Sequence, residues 1–466
     1  MKKIAAAVAF IAVLCASPAL AQDGTPQEAR KEAREIFQKV IAFRTSEGLG
    51  QVPAMAQYLA ERFRAAGFPE ADIHILPVGE TASLVVRYRG NGRGGKPILL
   101  LAHMDVVTAK PEEWQRDPFT LIEENGYFFG RGTLDNKQGV TVLTATFLRL
   151  KREGFVPTRD LIIAFSGDEE TGMLTTRDLA TKRRDLTDAE YALNSDDGGG
   201  QLDEKTGKPQ YLSFVGAEKI SSTYELTVRN PGGHSSAPRS DNAIYELADA
   251  VKALQAYRFP VMSNDWTVGF FKATGPATAG PLGAAMTSFA ANPKDETAAA
   301  ALASVPTEVG KTRTTCVATM LRGGHASNAL PQTATATVSC RIFPGMGVDE
   351  VKAKLQELVG DKVEVHFLGS TPAADASPLR RDVLAALTKT AHARYPGLPV
   401  VPAMVPWATD GAIFRAAGIP TYGVSGSLIK ASDAFTHGLN ERLPVESFYG
   451  ELTHWYVLLK ELAGKR

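Results

Sequence analysis

The chain has 466 residues, with 51 Lys and Arg residues against 51 Asp and Glu residues, so it carries no net formal charge. That balance excludes a net positive charge, whose electrostatic field is what attracts basic proteins to nucleic acid or anionic membranes. We therefore expect neither as a partner. The proportions of apolar residues (44%) and charged residues (22%) are those of a globular protein. A chain of this length usually divides into two domains.

The first residues have the pattern of a secretory signal peptide. Lys2 and Lys3 precede an apolar stretch over residues 4–15, and an Ala-Leu-Ala sequence at residues 19–21 suits cleavage. The apolar stretch is too short to span a bilayer. We therefore predict a signal peptide over residues 1–21 and a mature protein that is periplasmic or secreted.

The first half of the mature chain has the pattern of an α/β domain. Segments with apolar residues at helical spacing cover residues 27–43, 52–66 and 139–151. Short, continuously apolar segments, which are typical of strands covered on both faces, cover residues 84–88, 97–101, 161–165 and 191–194. Strands that alternate with helices in this way predict a mostly parallel sheet flanked by helices.

The pattern changes after residue 217. Alternating strands and helical segments then follow in the order β-α-β-β-α-β, over residues 222–228, 243–254, 314–321, 333–341, 348–359 and 363–367. That order predicts an α+β sandwich with helices on one face of an antiparallel sheet. A segment rich in Pro, Gly and Ala over residues 259–311 interrupts it, and the pattern does not assign its structure. Helical patterns return over residues 379–394 and 445–462.

These patterns predict a smaller domain inserted into a larger one. The larger, catalytic domain would comprise residues 22–217 and 371–466, and the inserted domain residues 218–370. Cys316 and Cys340 are the cysteines that remain after the signal peptide, and they lie on two strands of a predicted hairpin. Opposite positions on such strands could form a disulfide in an oxidising compartment, while two buried thiols are the alternative.

Acidic and histidine side chains follow the predicted strands of the larger domain. They occur in the stretches ILLLAHMDVV, FGRGTLDNKQG, FSGDEETG and YALNSDDGGG, and FTHGLNERL adds a distant histidine. Ligand sites in open α/β sheets gather beyond the carboxyl ends of the strands, so we expect these side chains to lie together. Imidazole with carboxylate suits zinc, cobalt or manganese, and five ligands with one placed to bridge indicate two ions.

Each of these residues has a plainer interpretation when it is taken alone. A single histidine after a strand, such as His103, is more often an ordinary core or surface residue. Asp135 could cap a helix, and the Asp196-Asp197 pair before three glycines could form a turn. Their joint occurrence at predicted strand ends favours a metal site.

Seven motifs run along the chain in a fixed order: HMDVV, the Trp114 and DPF that follow it, GRGTLDNKQG, GDEETG, DDGGG, NPGGHSSAP and HGLNERL. Together they closely resemble the di-zinc metallopeptidase and amidohydrolase family of aminoacylase, glutamate carboxypeptidase and carboxypeptidase S. The resemblance extends from about residue 28 to the C-terminus, and its first part is most similar to the carboxypeptidase S branch. It implies a zinc-peptidase fold with an inserted lid and dimerisation domain.

The resemblance implies a set of metal ligands, residue by residue. Asp135 matches the carboxylate that bridges two zinc ions, and the following peptide bond is often cis in this family. His103 and Asp197 match the further ligands of one ion. Glu170 and His437 match those of the other ion. Cobalt or manganese could take the place of zinc.

Two further acids have implied roles beside the metal ligands. Asp105 matches the acid that orients His103, and ligating histidines generally need such a partner. Glu169 matches the general base. Neighbouring side chains at a strand end point in opposite directions, so Glu170 can bind metal while Glu169 faces a metal-activated water. Asp168 is left with hydrogen bonding in the local turn.

Two features limit how directly the family pattern carries over. The doubled acid leaves its register open, so Asp196 is the alternative to Asp197 as ligand. In the stretch WATDGAIF, Ala408 stands where relatives usually carry Gly, and Trp407 precedes it. We therefore expect a substrate pocket that is narrower or aromatic.

The inserted domain supplies implied substrate contacts. His234 in GGHSSAP matches a residue that reaches the reacting carbonyl, in dimers from the partner subunit. Asn328 in ASNALPQ and Arg341 in SCRIFPG match substrate-binding positions, and a guanidinium can hold a free carboxylate with two parallel hydrogen bonds. The plainer interpretations are a turn residue for His234 and a hinge salt bridge for Arg341. The resemblance also implies a homodimer formed through this domain.

The resulting prediction is an exported, zinc-dependent exopeptidase that hydrolyses amide bonds of small peptides, with a carboxypeptidase as the leading interpretation and Glu169 as general base. The alternative is an aminoacylase or N-acyl amino acid amidohydrolase. A non-catalytic peptide-binding protein is the remote third interpretation. Such a protein would have lost the general base or a metal ligand, whereas this chain retains them. The preferred side chain or acyl group does not follow from the sequence.

Overall fold

The computed structural model describes residues 25–464. The predicted signal peptide over residues 1–21 lies outside this range. No helix within it is both long enough and apolar enough to cross a membrane.

The helices follow the apolar patterns of the sequence. Between residues 25 and 464 the α-helices are α1 (Gln27–Ala42), α2 (Val52–Ala65), α3 (Lys137–Arg152), α4 (Leu174–Thr181), α5 (Arg184–Thr187), α6 (Ala243–Ala256), α7 (Asp265–Thr274), α8 (Gly280–Ala291), α9 (Glu296–Ala303), α10 (Pro306–Val309), α11 (Val348–Val359), α12 (Arg381–Arg394), α13 (Asp410–Ala416) and α14 (Val445–Ala463).

The strands form two main sheets and two smaller ones. In the same part of the chain they are β1 (Ile73–Val78), β2 (Thr81–Tyr88), β3 (Ile98–His103), β4 (Ile122–Glu124), β5 (Tyr127–Phe129), β6 (Leu161–Ser166), β7 (Tyr191–Leu202), β8 (Pro209–Glu218), β9 (Ile220–Arg229), β10 (Gly233–His234), β11 (Thr315–Gly323), β12 (Ala329–Leu330), β13 (Thr333–Ile342), β14 (Val363–Ser370), β15 (Val400–Val405), β16 (Thr421–Ile429) and β17 (Arg442–Pro444).

The large sheet has eight strands in the order β1-β2-β6-β3-β7-β16-β8-β15. Strand β3 is parallel to both β6 and β7, and β7 is parallel to β16. Leu100 of β3 belongs to the apolar cluster under α1, α2, α3 and α14, while its neighbour Leu101 belongs to the cluster under α4 and α13. Helices therefore cover both faces, which confirms the predicted mostly parallel sheet and explains its continuously apolar strands.

The smaller antiparallel sheet has the strand order β11-β13-β9-β14, with α6 and α11 in its apolar cluster. This is the predicted β-α-β-β-α-β arrangement and is consistent with an inserted lid. Cys316 and Cys340 occupy opposite positions on β11 and β13 and are joined by a disulfide. The structure thus has the bonded alternative rather than two free thiols.

The segment over residues 259–311, left unassigned by the sequence pattern, forms helices α7 to α10. Helix α7 contacts β8 and β15 of the large sheet. The ring of Trp266 packs over Gly216, which has no side chain in its way, and its Nε1 donates a hydrogen bond to the carbonyl oxygen of Ser377 at 2.8 Å. Part of the range predicted for the inserted domain, 218–370, therefore lies against the larger domain. The outer limits of both domains stay a prediction.

Candidate metal centre

The register of the parallel strands brings the predicted site residues to one edge of the large sheet. His103 at the end of β3 pairs with Ser166 at the end of β6, and Leu101 pairs with Asn194 of β7. The acids that follow β6, and those two and three residues beyond Asn194, therefore lie level with His103. This is the edge where α/β sheets carry their ligand sites.

Asp135 lies between two histidines that come from opposite ends of the chain. Its Oδ1 is 2.9 Å from Nε2 of His103, and its Oδ2 is 3.0 Å from Nε2 of His437. The same nitrogen of His437 is 3.0 Å from Oε1 of Glu170. Ligand atoms of His103, Asp135 and Glu170 lie within 4.8 Å of one another. Each oxygen of Asp135 thus faces a different imidazole, as a bridging carboxylate would. The peptide bond from Asp135 to Asn136 is cis.

The structure places Asp196, rather than the predicted Asp197, beside His103. Oδ1 of Asp196 is 3.5 Å from Nε2 of His103. Asp197 points to the other side of β7, because successive side chains on a strand alternate. Its Oδ1 accepts a hydrogen bond from the backbone of Gly198, and burial, with the charge of Glu218, raises the pKa of Asp197 well above its ordinary value. The assignment of Asp197 as ligand is therefore corrected to Asp196.

Asp105 supports the site in a second way besides facing His103. Its two carboxylate oxygens accept hydrogen bonds at 3.0 Å from the backbone N–H groups of Glu169 and Glu170. Nδ1 of His103 is 3.0 Å from the carbonyl oxygen of Asp105 and 3.5 Å from its carboxylate. Asp105 therefore fixes both the imidazole and the turn that carries the two glutamates.

The three consecutive acids after β6 have different surroundings. Asp168 accepts hydrogen bonds from the backbone of Leu174 at 2.6 Å and of Thr175 at 2.9 Å, so it holds the turn into α4. Glu170 meets His437. Glu169 is buried and lines the adjacent cavity, and burial raises its pKa well above the ordinary value of a glutamate. These placements match the division of roles predicted for the three residues.

The electrostatics and the donor set both suit divalent cations. Burial raises the pKa of Asp196 to about 7, and hydrogen bonds to Asp135 and Glu170 raise the pKa of His437 to about 10. These directions report carboxylates crowded in a low-dielectric site, where a positive charge is needed. Two imidazole nitrogens and the three carboxylates of Asp135, Glu170 and Asp196 could supply that charge by binding divalent cations, and such a ligand set suits zinc, cobalt and manganese.

A cavity of about 500 Å³ opens beside these groups. Its remaining wall combines polar side chains, such as Gln138, Thr409 and Thr436, with an apolar part formed by Leu134, Trp407, Ala408, Ile429 and Ala434. The indole of Trp407 is half exposed, so the cavity has the aromatic contribution that the WATDGAIF stretch predicts.

A buried glutamate that sequence reasoning missed shapes the floor of this cavity. Ser425 and Ser427 line the cavity, but their hydroxyls donate to Oε1 of Glu451 at 2.5 and 3.0 Å. Glu451 lies on α14 three residues after Phe448, within the face of the helix that is buried. An acid at an apolar position of a helix was the available signal.

The predicted lid residues do not line the cavity in a single chain. His234 is exposed, and its Nδ1 is 2.7 Å from the hydroxyl of Ser236. Asn328 is exposed as well. Arg341 is partly buried on β13 and forms no ion pair within residues 25–464, so the hinge salt bridge that was its plainer interpretation is not formed there.

Residues 99–461 match the description of Peptidase family M20/M25/M40. The chain belongs to this family. It is therefore a hydrolase of peptide or amide bonds. Members of this family depend on metal ions and typically have a dinuclear metal site.

Individual relatives are similar over most of the chain. N-fatty-acyl-amino acid synthase/hydrolase PM20D1 of Xenopus tropicalis is 32% identical over 372 residues, which is 78% of this chain and 72% of the relative. Probable carboxypeptidase S-like 2 of Dictyostelium discoideum is 26% identical over 443 residues, covering 93% and 84%. The crystal structure of the M20 family metallo-carboxypeptidase Sso-CP2 from Sulfolobus solfataricus shares the fold, with a TM-score of 0.69 at 19% identity over 92% of this chain and 99% of that one.

The placement of the doubled acid predicts different effects for two isosteric substitutions. Asp196→Asn should weaken metal binding by at least about tenfold, the scale on which even outer contacts of a metal site matter. Asp197→Asn should leave affinity within about threefold, since its carboxylate points away from His103. Competition of each apo protein with a chromophoric chelator for Zn²⁺ measures both values. The reverse ranking would restore Asp197 as the ligand.

Proposed function

We propose that the protein is an exported carboxypeptidase that uses two zinc ions to hydrolyse the C-terminal amide bond of small peptides. The observation that carries this proposal is the pair of imidazoles on opposite oxygens of Asp135, with the buried Glu169 in the adjoining cavity. A non-catalytic binding protein would not need a buried acid beside the metal ligands.

Residues of the chain divide the chemistry between them. Two bound divalent ions would polarise the scissile carbonyl and lower the pKa of a water molecule. Glu169 would accept a proton from that water and return it to the leaving amine. Burial raises the pKa of Glu169 above the ordinary value of a glutamate, which strengthens it as a base. Asp105 keeps Glu169 in place through its backbone N–H. Zinc is proposed because imidazole and carboxylate together suit it.

A free carboxylate on the substrate is proposed as the recognition element, and Arg341 as its partner. Arg341 is a part-buried cation for which no carboxylate partner is found among residues 25–464. Burial lowers its pKa, and a bound anion would offset that cost. Asn328 is proposed to contact the same end of the substrate. The relatives named as carboxypeptidases support this choice.

The second candidate function is hydrolysis of N-acyl amino acids. The apolar part of the cavity wall favours it, because an acyl chain would bury its surface against Leu134, Trp407 and Ile429. The Xenopus relative, named for N-fatty-acyl-amino acid chemistry, supports it as well. Both functions keep the same reaction and the same free carboxylate, and they differ in what occupies the cavity.

Export and dimerisation complete the proposal. The pattern of residues 1–21 and the disulfide between Cys316 and Cys340 support an oxidising compartment outside the cytoplasm. Strand β11 is an edge of the small sheet, and it exposes 60% of Val317 and 65% of Leu321. Such an edge suits pairing with a second copy of the chain. In the proposed dimer, the His234 that reaches a bound substrate would come from the other subunit.

Hydrolysis of matched substrates separates the candidate functions. We expect zinc-loaded protein to cleave unblocked or N-blocked dipeptides with a free C-terminal carboxylate and to lose at least about tenfold in kcat/KM on their C-terminal amides, because a charge-assisted pair is lost. Higher kcat/KM for N-acyl amino acids than for dipeptides would select the second candidate. Equal activity on amidated substrates would contradict the role of Arg341, and no hydrolysis of either class would favour a binding protein.

Glu169→Gln should lower kcat by about 100- to 10,000-fold, the usual contribution of a general acid–base group. The substitution removes the proton acceptor but preserves shape, so two metal ions per chain should still bind. Steady-state rates and elemental analysis measure the two effects. Glu113→Gln, at an exposed position paired with Lys110, is the control. Near wild-type turnover in Glu169→Gln would exclude this residue as the base.

Leu321→Asp should convert the proposed dimer to monomers, because it places a charge in the apolar edge of β11. Sedimentation velocity at several concentrations measures the change, and activity should fall with the dimer if His234 acts across subunits. Leu368→Asp is the control, since Leu368 is similarly exposed on the opposite edge strand, β14. A wild-type protein that is monomeric and fully active would contradict the dimer.

A further inference from the structure

Two of the sequence motifs contain a charged residue with no role in the proposed reaction. Arg131 lies in GRGTLDNKQG, and Glu441 lies in HGLNERL. The structure joins them: Nη1 of Arg131 donates to Oε2 of Glu441 at 2.6 Å, and their side chains are 2% and 0% exposed. The pair links segments that are 310 residues apart in the chain.

Glu441 holds the backbone that leads into Asp135. Its Oε1 accepts hydrogen bonds from the N–H groups of Leu134 at 2.7 Å and of Asp135 itself at 3.0 Å. Its Oε2 accepts a third, from the N–H of Gly132 at 3.1 Å, besides that of Arg131. One buried side chain therefore holds the backbone segment from Gly132 to Asp135, which carries the bridging carboxylate.

Arg131 holds the backbone of the other metal-binding segment. Its Nη2 donates to the carbonyl oxygens of His437 at 3.3 Å and of Gly438 at 3.2 Å. His437 has φ of 62°, a left-handed conformation that a non-glycine residue adopts only where its surroundings maintain it. Its side chain is 54% exposed, so side-chain packing alone does not fix the imidazole.

The nearby strands position the pair. Arg442, the first residue of β17, pairs with Phe129 of β5, so Glu441 lies beside the chain as it leaves β5. The N–H of Gly130 donates to the carbonyl oxygen of Glu441 at 3.2 Å. The guanidinium of Arg131 also lies over the ring of Trp114, 5.1 Å from its centre. The pair is therefore held on several sides.

We propose that Arg131 and Glu441 are positioning residues that set the distance between Asp135 and His437 and thereby the affinity of the site for metal. The inference rests on the proposed function, because it takes these two residues as metal ligands. Neither Arg131 nor Glu441 is among the residues that line the cavity. A buried ion pair contributes little to stability compared with apolar side chains. Here five hydrogen bonds from the pair to the backbone hold both ligand-bearing segments at once, and a sixth joins Arg131 to Glu441.

The test is the affinity of the apo protein for Zn²⁺, measured by competition with a chromophoric chelator. Glu441→Gln keeps the shape but places an NH₂ group against N–H donors. We expect Kd to rise about 10- to 100-fold, the usual effect of removing an outer partner of a metal ligand. Arg131→Lys keeps the charge but loses the second nitrogen that reaches His437 and Gly438, so it should weaken binding too, and it replaces Glu441→Gln if that variant does not fold.

Asp72→Asn is the matched control. Asp72 is also buried in the same domain and accepts hydrogen bonds from an arginine, Arg89, but it lies near the end of β2 that pairs with the start of β6, away from the edge that carries the metal ligands. Its Kd for Zn²⁺ should stay within about twofold of wild type. The melting temperature of the apo protein measures the loss of stability in every variant. Activity as a function of added Zn²⁺ should show the Glu441→Gln curve shifted to higher concentration, with kcat largely recovered at saturation.

Two outcomes would overturn the inference. One is an unchanged Kd in folded Glu441→Gln and Arg131→Lys, with only the melting temperature lowered, since that is the result of a purely structural pair. The other is an equal loss of affinity in Asp72→Asn. Failure of the proposed function is distinguishable, because it would appear in the wild-type protein itself, as absent hydrolysis or as failure to bind two Zn²⁺ ions.

Discussion

The contact between Asp135 and its two histidines is the interaction on which the rest of the site depends. His103 ends a fully buried strand of the large sheet, whereas His437 lies in a loop near the C-terminus, and both imidazoles meet the oxygens of one carboxylate. Crowded, buried acids around that point would repel one another without a cation. The parallel strands, the turn held by Asp105 and the C-terminal loop together place these carboxylates and imidazoles at one point.

Much of the fold was predictable because its signals are local. The helices predicted outside residues 259–311 all form, with ends within two residues of the expected ones, and the apolar strands β3 and β6 have the predicted positions. Strand β16 was not predicted, since its sequence TYGVSGSLI contains glycines and serines that are typical of turns. Its place between β7 and β8 comes from tertiary packing, which overrides such preferences.

The site was predictable as a set of residues but not in every contact. The order of the motifs identified the strand ends. The choice between Asp196 and Asp197 depends on which face of β7 each side chain occupies, and the position of the two acids before Gly198 does not show this. The contacts of Glu441 and Glu451 join segments that are far apart in the chain or lie on different elements. Helical spacing marks Glu451 as buried but does not show its partners, and no spacing points to the contacts of Glu441, so only the folded chain shows what these two acids hold.

The serines turned onto Glu451 have a consequence for selectivity. Because both hydroxyls donate their protons to Glu451, they offer a ligand no hydrogen-bond donor, and this part of the cavity distinguishes groups mainly by size and shape. Apolar surfaces discriminate weakly, by about 1–3 kcal/mol for each methylene gained or lost. For a series of substrates whose apolar groups differ by one methylene at a time, kcat/KM should therefore change gradually rather than fall sharply at one length. Every substrate in the series would still need the same amide bond and free carboxylate.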